Sequence, residues 1–174
     1  MLLVGGLFAL TTTGAKAQSN EGDNRGYSVK VGDMAPDFTL QYLDGTTANL
    51  FDLRGKVVML QFTAGWCRVC RQEMPYIEKE IWQKYKDNEN FVLVAVDLKE
   101  PKEKVLKFID DMKITYPLTL DEKGEIFSLY TEKNAGVTRN IIIDRDGKIV
   151  FLTRLFDRKE FDQMKEVIEK LLNK

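Results

Sequence analysis

A short apolar run, Lys56-Val57-Val58-Met59-Leu60-Gln61-Phe62, stands just before a cysteine pair, Cys67-Arg68-Val69-Cys70, and a helical pattern begins at the second cysteine. The run is β-branched, bounded by Gly55 and too short for a helix, so it reads as a buried strand. Cys70, Met74, Ile77, Ile81 and Tyr85 then recur at steps of three or four, which is one face of an amphipathic helix. The two cysteines are therefore placed unequally. Cys70 opens the buried stripe, whereas Cys67 lies at or just before the first turn, within reach of solvent.

That inequality has a chemical meaning. The unsatisfied N–H groups and positive dipole end of a helix favour a thiolate at Cys67, and Arg68 adds to this if its guanidinium turns toward the sulfur. A cysteine so placed has its pKa lowered from about 8.5 to roughly 3.5–7.5. Cys67 is then the attacking thiol and Cys70 the resolving one. Two other readings compete. A zinc site needs two more nitrogen or sulfur ligands, but the chain has no further cysteine and no histidine, so zinc would have to be shared between chains. A structural disulfide across two residues closes almost no loop and adds little stability through chain entropy. The strand-then-helix setting favours the redox reading over both.

Several ordered blocks carry a family resemblance. They are Ala35-Pro36-Asp37-Phe38-Thr39-Leu40, Asp44-Gly45, Leu53-Arg54-Gly55-Lys56-Val57-Val58, and Phe62-x-Ala64-x-Trp66-Cys67-x-x-Cys70-Arg71-x-Glu73-Met74-Pro75. With Val94-Ala95-Val96-Asp97 and Ile143-Asp144-x-Asp146-Gly147-Lys148-Ile149, the chain from about Val31 to its end resembles the extracytoplasmic thioredoxin-like proteins of the TlpA/ResA type. The resemblance implies an α/β thioredoxin-like fold, a central mixed sheet flanked by helices with an N-terminal β-hairpin extension. It also implies thiol–disulfide exchange with protein partners through Cys67 and Cys70, with no cofactor beyond their disulfide and no metal.

Along the chain, Leu2 to Leu10 is apolar and leads to Ala15-Lys16-Ala17, which resembles a secretory signal peptide over residues 1–17 without its basic n-region. The expectation is a start further upstream and export, to the periplasm. The stretch is too short for a membrane span, so membrane association would come only through an uncleaved N-terminal segment. Residues 18–30 are polar and read as a flexible tether, and residues 31–174 suit one domain. The hairpin is expected around Asp44-Gly45, a second one at Arg145-Asp146-Gly147, a helix from Pro101, and a final helix opened by a capping box at Asp157 to Glu160. Pro75 falls inside the active-site helix and is expected to kink it. Net charge is −1, which argues against nucleic acid as a partner.

Four further positions gain expectations from the resemblance. In the ResA-like branch an acidic residue in the loop after the Val94–Asp97 strand lies near the cysteines, and Glu100 matches it; it could tune their pKa values, take a proton from Cys70, or be a solvated helix-start carboxylate. Gln61 stands where thioredoxin carries a buried aspartate, and an amide cannot be a general base, so a carboxylate assisting Cys70 must come from elsewhere. Thr138 stands where these proteins usually carry a cis-proline packed against the cysteines. A trans Val137–Thr138 bond is expected, because a non-proline cis bond costs roughly 2.5–4 kcal/mol. Thr138 or Arg139 then faces the disulfide, or neither has a role. Trp66, Arg68, Val69 and Pro75 complete the expected surroundings.

Thiolate stabilisation at Cys67 favours an oxidising couple, whereas the resemblance leans toward a reductase fed by an upstream redox partner. Two other function classes fit parts of the sequence. Ala35-Pro36-Asp37-Phe38 also opens peroxiredoxin-like peroxidases, but Ala64 occupies the position of the Thr or Ser their motif needs. A redox-silent thioredoxin-fold binding module is motivated by Thr138.

Overall fold

The computed structural model describes residues 25–174, so the segment read as a signal peptide and most of the tether lie outside the described residues. The apolar run before the cysteines forms the third strand of the chain. Strand β1 (Thr39–Gln41) pairs antiparallel with β2 (Thr47–Asn49) as the expected hairpin around Gly45. Strand β3 (Val57–Thr63) is buried at every residue. It pairs in parallel with β4 (Phe91–Leu98) and antiparallel with β6 (Arg139–Ile143). Beyond them lie β5 (Leu118–Asp121), parallel to β4, and β7 (Ile149–Leu152), antiparallel to β6, giving the order β5-β4-β3-β6-β7. A central strand covered on both faces carries a continuous apolar run, and β3 does so until its polar exceptions Gln61 and Thr63.

Helices flank this mixed sheet. Helix α1 (Arg68–Ile77) buries Cys70, Glu73, Met74 and Ile77, then passes through a π-turn at Glu78–Trp82 into α2 (Gln83–Tyr85). Pro75 stays inside α1, and the irregularity falls three residues later, at the π-turn. Helices α3 (Lys102–Met112), α4 (Glu125–Tyr130) and α5 (Arg158–Leu172) complete the set. At the start of α5 the Asp157 carboxylate accepts the Glu160 N–H at 2.8 Å, one half of the capping box. The other half is not made, because Glu160 instead pairs with Arg25 and accepts the Arg154 N–H. The turn between β6 and β7 is closed by Asp144, whose Oδ1 accepts the amides of Asp146 and Lys148, with Gly147 at φ +85° where a side chain would strain.

The core runs from the hairpin through the sheet. Phe62 of β3 packs edge-on to Phe127 at 5.2 Å and against Tyr130 at 5.5 Å, and Tyr130 meets Phe38 beside β1. The Tyr130 hydroxyl donates to the Pro36 carbonyl at 2.7 Å, fixing the entry to the hairpin. Residues 25–30, which their composition assigns to the tether, are part of this packing. Tyr27 is buried, bridges Thr131, donates its hydroxyl to the Thr153 carbonyl and lies under the Arg139 guanidinium at 4.2 Å. A single aromatic residue is enough to anchor a polar stretch when a cation and a carbonyl are waiting for it. Among the described residues no helix is long and apolar enough to cross a membrane.

Replacing Tyr27 with Ala removes that anchor, with an expected loss of about 3–5 kcal/mol of unfolding free energy. Urea unfolding of the two proteins measures it, and a loss below about 1 kcal/mol would mean that the segment merely rests on the surface.

Candidate active site at the Cys67–Cys70 disulfide

Two loops meet at one end of the sheet. The first leaves β3 at Thr63 and reaches Cys67; the second precedes β6, whose Arg139 is paired with Phe62. Cys67 is the N-cap of α1, in extended backbone at φ −85° and ψ 108°, and its Sγ accepts the Cys70 N–H at 3.1 Å. A helix-terminal amide aimed at that sulfur stabilises negative charge there. The two cysteines are joined as a disulfide, with Cα atoms 5.3 Å apart. Cys67 is 7% exposed and Cys70 is 0% exposed, so the inequality read from the sequence holds, through a narrow opening.

The loop between strand and helix is held at one residue. Gly65 donates its N–H to the Glu100 carboxylate, and its carbonyl accepts Arg71 Nε at 2.7 Å. A Cβ at Gly65 would fall 2.9 Å from Glu100 Oε2 and 3.4 Å from Phe108 Cγ, so a larger residue there would displace the Glu100 carboxylate. Glu100 is thus a buried group that fixes the backbone leading to Cys67, rather than a solvated helix-start carboxylate. Asp97, at the end of β4, is buried beside it. Burial first, then the charge and hydrogen bond of Glu100, push the Asp97 carboxyl up to about 8. Trp66 is 63% exposed next to Cys67, Arg68 is exposed and Val69 half-buried. Pro75 is exposed in α1, about 7 Å further along the axis than Cys70 at 1.5 Å per residue, so it borders the helix and not the sulfurs.

Beneath the disulfide lies a layer of buried polar side chains. Gln61 is fully buried, and its Oε1 accepts the Tyr116 hydroxyl at 3.0 Å. Glu73 accepts Asn140 Nδ2 at 2.7 Å, and Asn140 Nδ2 also reaches Thr153 Oγ1 at 3.0 Å. Burial pushes the Glu73 carboxyl up to about 7, against the opposing pull of hydrogen bonds from Asn140 and Gln61, with the Glu160 charge adding to the rise. Glu73 is a buried carboxyl on the helix that carries Cys70. It follows Cys70 by three residues on the same helix face, which places their Cβ atoms about 5–6 Å apart.

The second loop supplies Thr138, buried, with Oγ1 3.2 Å from Cys67 Sγ and 3.3 Å from Cys70 Sγ. The Val137–Thr138 bond is trans, as are the other peptide bonds among the described residues. Arg139 points away from the sulfurs: Nε donates to the Gly136 carbonyl at 2.9 Å and Nη2 to the Arg25 carbonyl at 2.8 Å, over the ring of Tyr27. Of the two candidates, Thr138 faces the disulfide and Arg139 secures its loop. No group of three or more His, Cys, Asp or Glu residues among the described ones is arranged to hold a metal ion.

A dithiol pair closed across the first turn of a helix, at the end of a mixed five-stranded sheet, defines a thioredoxin-fold redox protein. Residues 31–152 match the model of the AhpC/TSA family, and the chain belongs to that family. Within it the chain is of the TlpA/ResA type. It is 34% identical over 145 residues to the thiol-disulfide oxidoreductase ResA of Geobacillus thermodenitrificans, covering 82% of this chain and 80% of the relative. Among solved structures, a candidate protein disulfide isomerase of Bacteroides thetaiotaomicron shares 54% identity at a TM-score of 0.83, covering 86% of this chain and 94% of that one. A candidate thiol:disulfide interchange protein DsbE of Chlorobium tepidum shares 33% identity at a TM-score of 0.74, covering 83% of this chain and 99% of that one. With the pair in place, the chain is a thiol–disulfide oxidoreductase.

Folded Glu73 keeps its proton to about pH 7, whereas an unfolded glutamate loses it near 4.5. Between those values the folded state binds more protons, so stability falls as pH rises, by on the order of 2–4 kcal/mol at roughly 1.4 kcal/mol per pH unit. Glu73→Gln removes that contribution and makes the decline shallower. Asp97, raised from 3.8 to about 8, adds its own decline across the same window and on to about pH 8 in both proteins. Urea unfolding of oxidised protein across pH 4.5 to 8 reads this; parallel profiles would mean that Glu73 is not the buried acid.

Proposed function

We propose that this chain is an exported, periplasmic oxidoreductase that reduces disulfides of partner proteins, with Cys67 attacking and Cys70 resolving. The observation that carries the roles is the unequal pair: Cys67 caps the helix with an amide on its sulfur, and Cys70 is shut away behind it. The Cys67 thiolate attacks the partner disulfide, forming a mixed disulfide and releasing one partner thiolate. Cys70 loses its proton and attacks Cys67 Sγ, closing the disulfide and releasing the second partner thiolate. Glu73, on the face shared with Cys70 and poised near pH 7, is the carboxyl placed to take that proton. Glu100, through Gly65, holds the loop that presents Cys67.

The likeness to thiol-disulfide oxidoreductases named ResA supports exchange with protein partners, and the apolar Leu2–Leu10 stretch with Ala15-Lys16-Ala17 supports export. An upstream dithiol donor has to return the pair to its reduced form, and the chain would touch the membrane only through an uncleaved leader. Residues 1–17 as leader, 18–30 as connecting segment and 31–174 as the working domain complete the proposal.

A redox titration in dithiothreitol and glutathione buffers, with thiols counted by alkylation and mass, tests it. The expected result is one reversible two-electron transition nearer about −270 mV than −120 mV. A midpoint at the oxidising end would assign oxidation of partners instead. Cys70→Ala is expected to accumulate mixed disulfides with periplasmic proteins and Cys67→Ala none; the opposite pattern would exchange the two roles.

A further inference from the structure

Thr138 is held so that one hydroxyl reaches both sulfurs. Its carbonyl accepts the Leu155 N–H at 3.1 Å, its neighbour Arg139 is clamped to the Gly136 carbonyl, and Oγ1 lies 3.2 Å from Cys67 Sγ and 3.3 Å from Cys70 Sγ. Disulfide sulfurs carry no hydrogen, so the hydroxyl is the donor in the closed state, and its single proton serves one sulfur at a time. A neutral disulfide sulfur is a weak acceptor. A thiolate is a charged one, and hydrogen bonds to charged acceptors are roughly twice as strong as neutral ones. Cys67 Sγ already has the Cys70 amide, whereas the bond of Cys70 Sγ is to Thr138. A proline at this position would offer no donor at all.

We infer that Thr138 is a catalytic hydrogen-bond donor that follows the negative charge from Cys67 to Cys70 during exchange. This rests on the roles assigned above to the two cysteines. In the reduced protein the hydroxyl donates to the Cys67 thiolate. When that thiolate attacks a partner disulfide, the new Cys67–partner bond takes up its charge, one partner thiolate leaves, and the hydroxyl is freed. It then turns to Cys70 Sγ and stabilises the thiolate formed as Cys70 gives its proton to a base. Attack on Cys67 Sγ breaks the bond to the partner, which departs as its second thiolate with the electron pair. Two electrons have passed from the dithiol to the partner disulfide.

The test uses Thr138→Val, which keeps the shape and removes the donor, and Thr138→Ser, which keeps the donor and removes the methyl. Thr138→Ala replaces the valine variant if that one fails to fold. In the reduced protein, alkylation at pH 6 with mass identification of the modified cysteine reads the Cys67 thiolate. Reaction with one equivalent of dithiobis-nitrobenzoate releases a coloured thiolate twice, first on attack and again on resolution by Cys70. Thr138→Val is expected to slow the alkylation of Cys67 and the second release about tenfold each, with Thr138→Ser within about twofold of wild type. The midpoint potential should fall by about 30 mV, the equivalent of a tenfold change for two electrons. If Thr138→Val matches wild type, or if the serine variant is the impaired one, the residue acts through packing and the inference is overturned. If wild type is instead alkylated first at Cys70, the assigned cysteine roles fail, and that result shows itself before any Thr138 variant is compared.

Discussion

The antiparallel pairing of β3 with β6 sets which residues can meet the disulfide. Phe62 lies opposite Arg139 and Gln61 opposite Asn140, so the chain leaving β3 and the chain entering β6 converge at one sheet end. Thr138 comes to the sulfurs because it is the residue before Arg139, and Asn140 comes to Glu73 because it is the residue after. A slip of one residue would send each of these side chains to the opposite face. Both strands are buried throughout, so such a slip would also carry apolar residues out of the core.

The layer under the disulfide shows how that end of a buried sheet can be polar. A buried polar group costs free energy unless it is hydrogen-bonded, and a buried charge costs more. Tyr116 donates to Gln61, and Asn140 to Glu73 and Thr153, which answers part of the first cost and leaves Asn140 Oδ1 without a partner among the described residues. Burial answers the second by keeping Glu73 protonated up to about 7, and it holds the Tyr116 hydroxyl well above the usual range for a phenol. The layer is neutral under acid conditions and acquires charge near neutrality, on the helix that carries Cys70.

Much of this was legible in the sequence for stated reasons. Strand β3 announced itself by an apolar run bounded by Gly55, and α1 by the stripe that begins at Cys70. The hairpins followed from Asp-Gly turns, and the position of Thr138 came from the family pattern. Glu73 leaves a signal as a carboxylate three residues after Cys70 on a stripe of apolar residues, and only the fold supplies its partner Asn140. Glu100 is legible from the family pattern, whereas its partner Gly65 is not, because a backbone amide leaves no trace in residue type. Pro75 announced a break in the helix, yet it stays inside α1, and the π-turn lies beyond it at Glu78–Trp82. Tyr27 was hidden by the polarity of its neighbours; its partners Arg139, Thr131 and Thr153 are more than a hundred residues away in the chain.

The two ends of the described chain attach to opposite ends of β6. Arg139, at the start of that strand, holds the carbonyl of Arg25, while Arg145, in the turn that follows it, donates to the carbonyl of Leu171 near the close of α5 at 2.8 Å. The entering chain is therefore one guanidinium away from the wall of the disulfide site, and the leaving chain lies at the far end of the sheet. For anyone fixing this protein to a surface the choice of terminus is a choice of orientation. A fixing point at Arg25 lies at the end of β6 that leads from Thr138, and one at the close of α5 lies by the turn at its other end.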